Sequence, residues 1–230
     1  MTIFEFAGSV MPRFLQAFVV TLELTAVGIG AGLLLGLLLA LTRVYANRVL
    51  SGIANVYIQF MRGTPLVIQV LVIYFGLPPY FKAMGLKPLS SLAAGCIAMA
   101  LNSAAYQAEY IRGAIQAISS GQMQAARSMG MTKTQAVRHV ILPQALRIVL
   151  PSWSNELIYT LLYSSTVYFI GLEELSYASM KVAAKTGRVL DSYIIAGVMY
   201  LIMVVLLSRI LAYAETRLRI PGLSIEERGR

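Results

Sequence analysis

The stretch Gln124–Gln144, QAARSMGMTKTQAVRHVILPQ, places Arg127, Lys133, Arg138 and His139 in the middle of a chain that is otherwise strongly apolar. Its internal signals are helical. Ser119-Ser120-Gly121 can start a short helix that runs through Gln122 to Met129, a segment rich in Ala and Met. Gly130 stands where such a helix stops, because glycine enters the left-handed conformation without a side-chain penalty. Thr132-Lys133-Thr134-Gln135 matches a capping box, with Thr at the cap and Gln three residues later, and so begins a second helix. That helix is expected to end at Leu142, since Pro143 disfavours helical backbone in the residue before it. The spacing thus predicts two short helices with a kink between them. Met123, Ala126, Met129 and Met131 would form a small apolar knob, with Arg127, Lys133 and Arg138 in water. Methionine is flexible and suits a surface that repacks against a partner. A loop lying on lipid headgroups fits the same pattern.

The rest of the chain sets the solvent. Of 230 residues, 58% are hydrophobic and 13% charged, and the mean hydropathy is +0.71. A soluble domain carries roughly 25% charged residues, so this chain has too few polar groups to cover itself in water. Five runs reach the length of about 20 apolar residues that crosses a bilayer: residues 14–42, 53–75, 89–111, 146–172 and 193–213. Leu77-Pro78-Pro79 closes the second by fixing the backbone and removing donors. An odd number of spans places the termini on opposite sides. With the N-terminus outside, Arg43, Arg48, Arg112, Arg127, Lys133, Arg138, Arg147, Arg209, Arg217, Arg219, Arg228 and Arg230 face the cytoplasm. Only Arg13, Lys82, Lys87, Lys181, Lys185 and Arg188 face outward. This excess supports an N-terminus outside and a C-terminus inside. It also accounts for the net charge of +9 without nucleic acid as a partner.

The chain therefore reads as an all-α integral membrane protein, one transmembrane domain over residues 1–230. Its longest gap between spans, about residues 113–143, lies in the cytoplasm and contains the opening stretch. Residues 1–8 lack the basic start of a signal peptide. Cys96 is the only cysteine and His139 the only histidine. No disulfide, metal cluster or nucleophile–base pair can be assembled from them, which argues against an enzyme.

Polar groups inside spans are costly and default to functional hypotheses. Asn102, Tyr106, Glu109 and Gly113 recur at helical spacing and share one face of the third span. Asn155, Tyr159, Tyr163 and Thr166 share a face of the fourth, with Glu156 beside it. A zwitterionic solute needs an anion for its ammonium, a role open to Glu109 and Glu156. It needs donors for its carboxylate, a role open to tyrosine hydroxyls and asparagine amides. Packing explains the acids equally well: Glu109 paired with Arg112, Glu156 paired with Arg62, and Glu23 reaching the outer interface. Three membrane carboxylates against one arginine lean toward a cationic solute. Gly28, Gly32 and Gly36 form two Gly-x3-Gly pairs, a spacing that lets helices approach closely. A self-sufficient secondary transporter or channel is the alternative reading, but the odd span number and the lack of an internal repeat count against it.

Gln124-Ala125-Ala126, three residues, Gly130, nine residues and Val140-x-Leu142-Pro143 resemble the EAA loop of ABC-importer permeases. That pattern has Glu where Gln124 stands and Ile where Val140 stands. Arg62-Gly63-Thr64-Pro65-Leu66 resembles the RGTP run of the family's polar amino acid permeases. Asn102-Ser103-Ala104-Ala105-Tyr106, with Glu109 and Arg112-Gly113, resembles their third span, and Ile170-Gly171-Leu172-Glu173-Glu174-Leu175 the segment after their fourth. Leu162-Tyr163-Ser164-Ser165-Thr166 departs from the family, which often has a Lys before an Asp or Asn there. The resemblance spans nearly the whole chain. It implies the type I ABC importer permease fold with cytoplasmic coupling helices, in a prokaryotic cell membrane. It implies an ABC ATPase subunit dimer docked on the loop, a second permease, identical or homologous, and an extracytoplasmic solute-binding protein. The chain has no G-x-x-x-x-G-K-[ST] phosphate loop, so ATP and Mg would be held by the partner ATPase and no cofactor by this chain.

Overall fold

The computed structural model describes residues 2–218 and is helical, with no strand among the described residues. Arg219, Arg228 and Arg230 of the charge count lie outside the described residues. The spine is α1, Ile3–Tyr45, about 65 Å long at 1.5 Å per residue. It begins well before the predicted start at Phe14. Thr2 caps it by a reciprocal capping box with Glu5, and Pro12 sits inside without ending it. Phe6 and Phe14, on either side of the proline, are fully buried against Leu161, Leu175, Val182 and Ile195. Burying two aromatic side chains outweighs one lost backbone hydrogen bond.

After α1 come α2 (Arg48–Gly63), α3 (Leu66–Leu71), a π turn over Val72–Gly76 and α4 (Pro78–Ala83). The second predicted span is therefore broken at Thr64-Pro65, where Pro65 caps α3. Next is α5, Ser91–Ala117, which packs along α1. Gly28, Gly32 and Gly36 are the reason it can. An added Cβ would stand 3.1 Å from Met99 Cβ at Gly28, 2.8 Å from Gln107 Nε2 at Gly32 and 2.9 Å from the Ala104 carbonyl at Gly36. The facing surface of α5 is small: Ala98, Ala104, Ala105 and Ala108 are all fully buried.

The opening stretch forms α6 (Ser120–Ser128) and α7 (Lys133–Ala136), as the spacing predicts. Gly130 has φ +85° and open space where a Cβ would be, so its backbone conformation alone demands glycine. The capping box is complete: Thr132 Oγ1 accepts from the Gln135 N–H, and Gln135 Oε1 from the Thr132 N–H. The second helix does not end at Leu142. It continues through a π turn, Val137–Ile141, into α8, Leu142–Ile148, with Pro143 in the first turn. The π turn carries the Leu142 N–H five residues back to the Val137 carbonyl, so the wider winding absorbs the proline that was expected to stop the helix. The apolar knob also divides. Ala126 is buried and Met123 packs toward Ile115 and Ile141, whereas Met129, in the turn, is 80% exposed.

The fourth predicted span is likewise subdivided. It runs as α9, Leu150–Tyr163, with Pro151 in the first turn, and then tightens to a 3-10 helix over Ser164–Ile170. The chain closes with α10, Leu175–Thr186, and α11, Val189–Leu218. By length and composition, α1, the Leu66–Ala83 segment and α11 can each cross a membrane. The third and fourth predicted spans do not meet that measure as single helices: α5 is long but lined with Ala, Ser, Asn and Gln, and α9 alone is 14 residues, with shorter helical segments on either side of it.

Candidate functional site

The break between α2 and α3 is built from polar side chains. It leaves backbone carbonyls unpaired at the end of α2, which must find other donors. Gln69 Nε2 donates to the Met61 carbonyl (2.8 Å), the Thr64 carbonyl (3.1 Å) and Thr64 Oγ1 (2.8 Å). Asn102 Nδ2 donates to Gln69 Oε1 at 3.1 Å and to the Met61 carbonyl at 3.3 Å. The Arg62-Gly63-Thr64-Pro65 run is thereby fixed against α5, and the Arg62 guanidinium lies 5.2 Å from the Tyr106 ring centre.

Beside this break is a cavity of about 130 Å³ lined by Leu66, Met99, Asn102, Ser103, Tyr106, Tyr110, Glu156, Tyr159, Thr160 and Tyr163. Its floor is the buried Glu156, whose Oε1 accepts from Ser103 Oγ at 2.7 Å and Thr160 Oγ1 at 3.5 Å. Its open side is the pair Tyr159 and Tyr163, stacked with centroids 6.2 Å apart and about half exposed. Here a carboxylate, hydroxyls and aromatic faces converge without an ion pair. Such a wall can take an ammonium at Glu156 and an apolar or polar side chain against the tyrosines.

Of the sequence-chosen pathway residues, Asn102, Tyr106, Glu156, Tyr159 and Tyr163 line this cavity, with Arg62 at its rim through Tyr106. Glu109, Asn155 and Thr166 do not line it. Glu109 accepts from Arg43 Nη1 at 2.9 Å and Arg112 Nη2 at 2.6 Å, so it joins the C-terminal ends of α1 and α5. The Arg112 pair is the one expected from sequence, and Arg43 adds a second. Asn155 points into exposed surface, and Thr166 Oγ1 donates to the Tyr163 carbonyl. The expected Glu156–Arg62 pair is not formed. Glu156 instead takes hydroxyl donors from Ser103 of α5 and from Thr160 of its own helix, while Arg62 stacks on an aromatic face.

In the opening stretch, Gln124, Ala125, Gly130 and Pro143 are exposed, Ala126 is buried, and Val140 and Leu142 are half-buried. Arg127 Nη1 donates to the Met131 carbonyl at 2.9 Å and closes the turn around Gly130. Lys133 Nζ lies 5.3 Å from the Tyr45 ring at the end of α1.

Sequence reasoning missed Gln69, Gln107, Trp153 and Thr160, and quoted Ser103 only as part of a motif. Each is buried or half-buried; all but Thr160 hydrogen-bond to another helix, and Thr160 donates to Glu156 one turn earlier on its own. The one available signal was a polar residue within an apolar run, and it does not say which partner helix supplies the bond. It also missed Glu173 and Glu174, quoted only as part of a motif. Glu173 accepts from Arg13 Nε at 2.7 Å. Glu174, fully buried, caps α10 by accepting from the Ser176 and Tyr177 N–H groups, both at 2.9 Å, and also takes the Tyr200 hydroxyl at 2.7 Å.

Residues 32–220 match the family described as binding-protein-dependent transport system inner membrane component. The chain is 36% identical over 215 residues to a probable amino-acid ABC transporter permease, PatM, of Vibrio harveyi, covering 94% of this chain and 96% of that protein. It is 34% identical over 210 residues to the glutamine transport system permease GlnP of Escherichia coli K12, covering 91% and 94%. The crystal structure of an amino acid ABC transporter with histidines superposes at a TM-score of 0.84. It is 37% identical and covers 94% of this chain and 99% of that one.

Proposed function

The chain belongs to the family of binding-protein-dependent transport system inner membrane components, and on that premise we propose that it is the permease subunit of an ATP-driven importer of polar amino acids. It lies in the cell membrane of a prokaryote, spans it five times with the N-terminus outside, and forms half of the translocation pathway. The observation that carries this reading is the half-open cavity. Glu156 is held by hydroxyls rather than neutralised by a cation, and the facing wall of Tyr159 and Tyr163 is left uncovered. Exposed tyrosine hydroxyls facing hydrocarbon are unfavourable, so a second permease, identical or homologous, completes the cavity. Asn102, Tyr106, Glu156, Tyr159, Tyr163 and Arg62 line the solute path. A carboxylate without a paired cation favours the ammonium of an amino acid and admits cationic side chains. An extracytoplasmic binding protein delivers the solute.

Energy enters from a separate ATPase dimer, which binds ATP and Mg and docks on the turn formed by Gln124, Ala125, Met129 and Gly130. The helical path from α7 through α8 to α9, interrupted only at Val149, passes its movement to the residues around Glu156. This is rigid-body gating. Co-purification from native membranes in mild detergent tests the proposal. We expect an ATPase and a second permease to come with the wild-type chain. Gly130→Val forces a β-branched residue into φ +85°, at a cost of about 1–3 kcal/mol, and should lose the ATPase while still inserting. A chain that purifies alone and moves solute without ATP would overturn the reading in favour of a secondary transporter.

A further inference from the structure

The buried amide of Gln107 is not part of the cavity wall, yet it is tied to it. Gln107 is completely buried and makes three side-chain hydrogen bonds. Its Oε1 accepts from Trp153 Nε1 at 2.9 Å. Its Nε2 donates to the Ile29 carbonyl at 3.1 Å and to Ser103 Oγ at 3.0 Å. These partners remove the usual ambiguity of an amide. An indole N–H can only donate and a carbonyl can only accept, so each end of the Gln107 amide has one allowed orientation. Ser103 Oγ then has a lone pair occupied, and its own hydrogen goes to Glu156 Oε1 at 2.7 Å. Left alone, a helical serine readily turns this hydrogen to the carbonyl four residues back.

We propose that Gln107 is a positioning residue for the cavity: locked by Trp153 and Ile29, its amide turns the Ser103 hydroxyl onto Glu156 and fixes the carboxylate that faces the solute. The inference rests on the reading of the cavity as the solute site. Gly32 is part of the same device. A Cβ there would stand 2.8 Å from Gln107 Nε2, so the glycine opens the space the amide occupies. No hydrogen bond among the described residues reaches Glu156 Oε2, and that oxygen is not a sealed, partnerless atom. One carboxylate oxygen is anchored, and the other is presented to the cavity.

The test is ATP-driven uptake by the reconstituted complex, with labelled L-glutamine, L-histidine and L-arginine as probes. Loss of a hydrogen bond to a charged group corresponds to about tenfold or more in affinity. Gln107→Leu and Ser103→Ala should each raise KM about tenfold while changing the maximal rate little. Because Gln107 acts through Ser103, the double variant should be no worse than either single one, within about twofold. Additive effects, or a fall in maximal rate at unchanged KM, would overturn the inference by showing a packing role. If Gln107→Leu does not assemble, Trp153→Phe keeps the amide but frees it to turn. It should raise KM by about threefold, and an unchanged KM would again overturn the inference. Glu156→Gln separates the two layers. If it raises KM and the Gln107 and Trp153 variants do not, only the positioning role falls. If it leaves KM unchanged, or if the wild-type complex accumulates none of the three probes, the cavity reading falls and takes the inference with it.

Discussion

Glu109 and Glu156 are both membrane carboxylates, and their partners give them different work. Glu109 accepts from two guanidiniums, those of Arg43 and Arg112, with its side chain 15% exposed. Glu109→Gln keeps the size but leaves two cations short of an anion. It should destabilise the chain by about 1–2 kcal/mol, lowering the midpoint of thermal inactivation in detergent while uptake by the surviving protein keeps its KM. Glu156 accepts only from hydroxyls, and an amide oxygen in Glu156→Gln can accept those bonds as well. Stability should then change little while KM rises. The reverse pattern, with KM rising at 109 and stability falling at 156, would exchange the two assignments.

At the scale of elements, the α1–α5 contact is where glycine has positional meaning. Gly30 and Gly36 belong to the same helix, but a Cβ at Gly30 meets nothing within 4 Å, whereas one at Gly36 meets the Ala104 carbonyl at 2.9 Å and Gln107 Cβ at 3.0 Å. A backbone oxygen cannot swing aside as a flexible side chain can. Gly36→Ala should therefore cost about 1–3 kcal/mol through overpacking, and Gly30→Ala should be neutral or stabilising by up to about 1 kcal/mol. Thermal inactivation of both variants beside wild type checks the contrast, and equal losses would mean that the helices meet on another face. The same contact helps a polar α5 to be tolerated in a hydrophobic protein: the Gly face of α1 brings the Ile29 carbonyl close enough to satisfy Gln107, which in turn donates to Ser103.

At the scale of the whole molecule, residues distant in sequence close the bundle. The Arg13–Glu173 pair joins the beginning of α1 to the segment that leads into α10, and Lys181 lies 3.4 Å from the same carboxylate. Burial alone would push the Glu173 carboxyl up, but Arg13 and Lys181 together hold it below its ordinary value. A carboxyl with a lowered folded-state pKa stabilises fully above its unfolded value, about 4.3, and loses that contribution as pH falls through the folded value. The stability difference between wild type and Arg13→Ala should accordingly be constant from about pH 8 to pH 5 and shrink below about pH 4.3. Thermal inactivation midpoints across that range measure it, and a difference that grows on acidification would exclude the clasp as its origin.

The sequence by itself determined the solvent, the helical class and the position in the chain of the two short helices about Gly130. These rest on composition and local backbone chemistry: the apolar runs, the Gly130 left-handed turn and the Thr132–Gln135 capping box all act within a few residues. It also pointed to Asn102, Tyr106, Tyr159 and Tyr163 by helical spacing, to Glu156 as a carboxylate inside a span, and to the close approach of helices at Gly28, Gly32 and Gly36. Only the tertiary structure decided which carboxylate faces a cavity and which is spent on arginines. Helical periodicity assigns a face to Glu109 but cannot say that Arg43, on another helix, lies opposite it. The continuation through Pro143 was equally out of reach, because a π turn is stabilised by the packing of Ile141 and Ala145 against α1 and α5 rather than by local propensity. The Gln107 network belongs wholly to the fold. Its partners Ile29, Ser103 and Trp153 come from three helices, and a polar side chain in an apolar run declares its need for a partner without naming one.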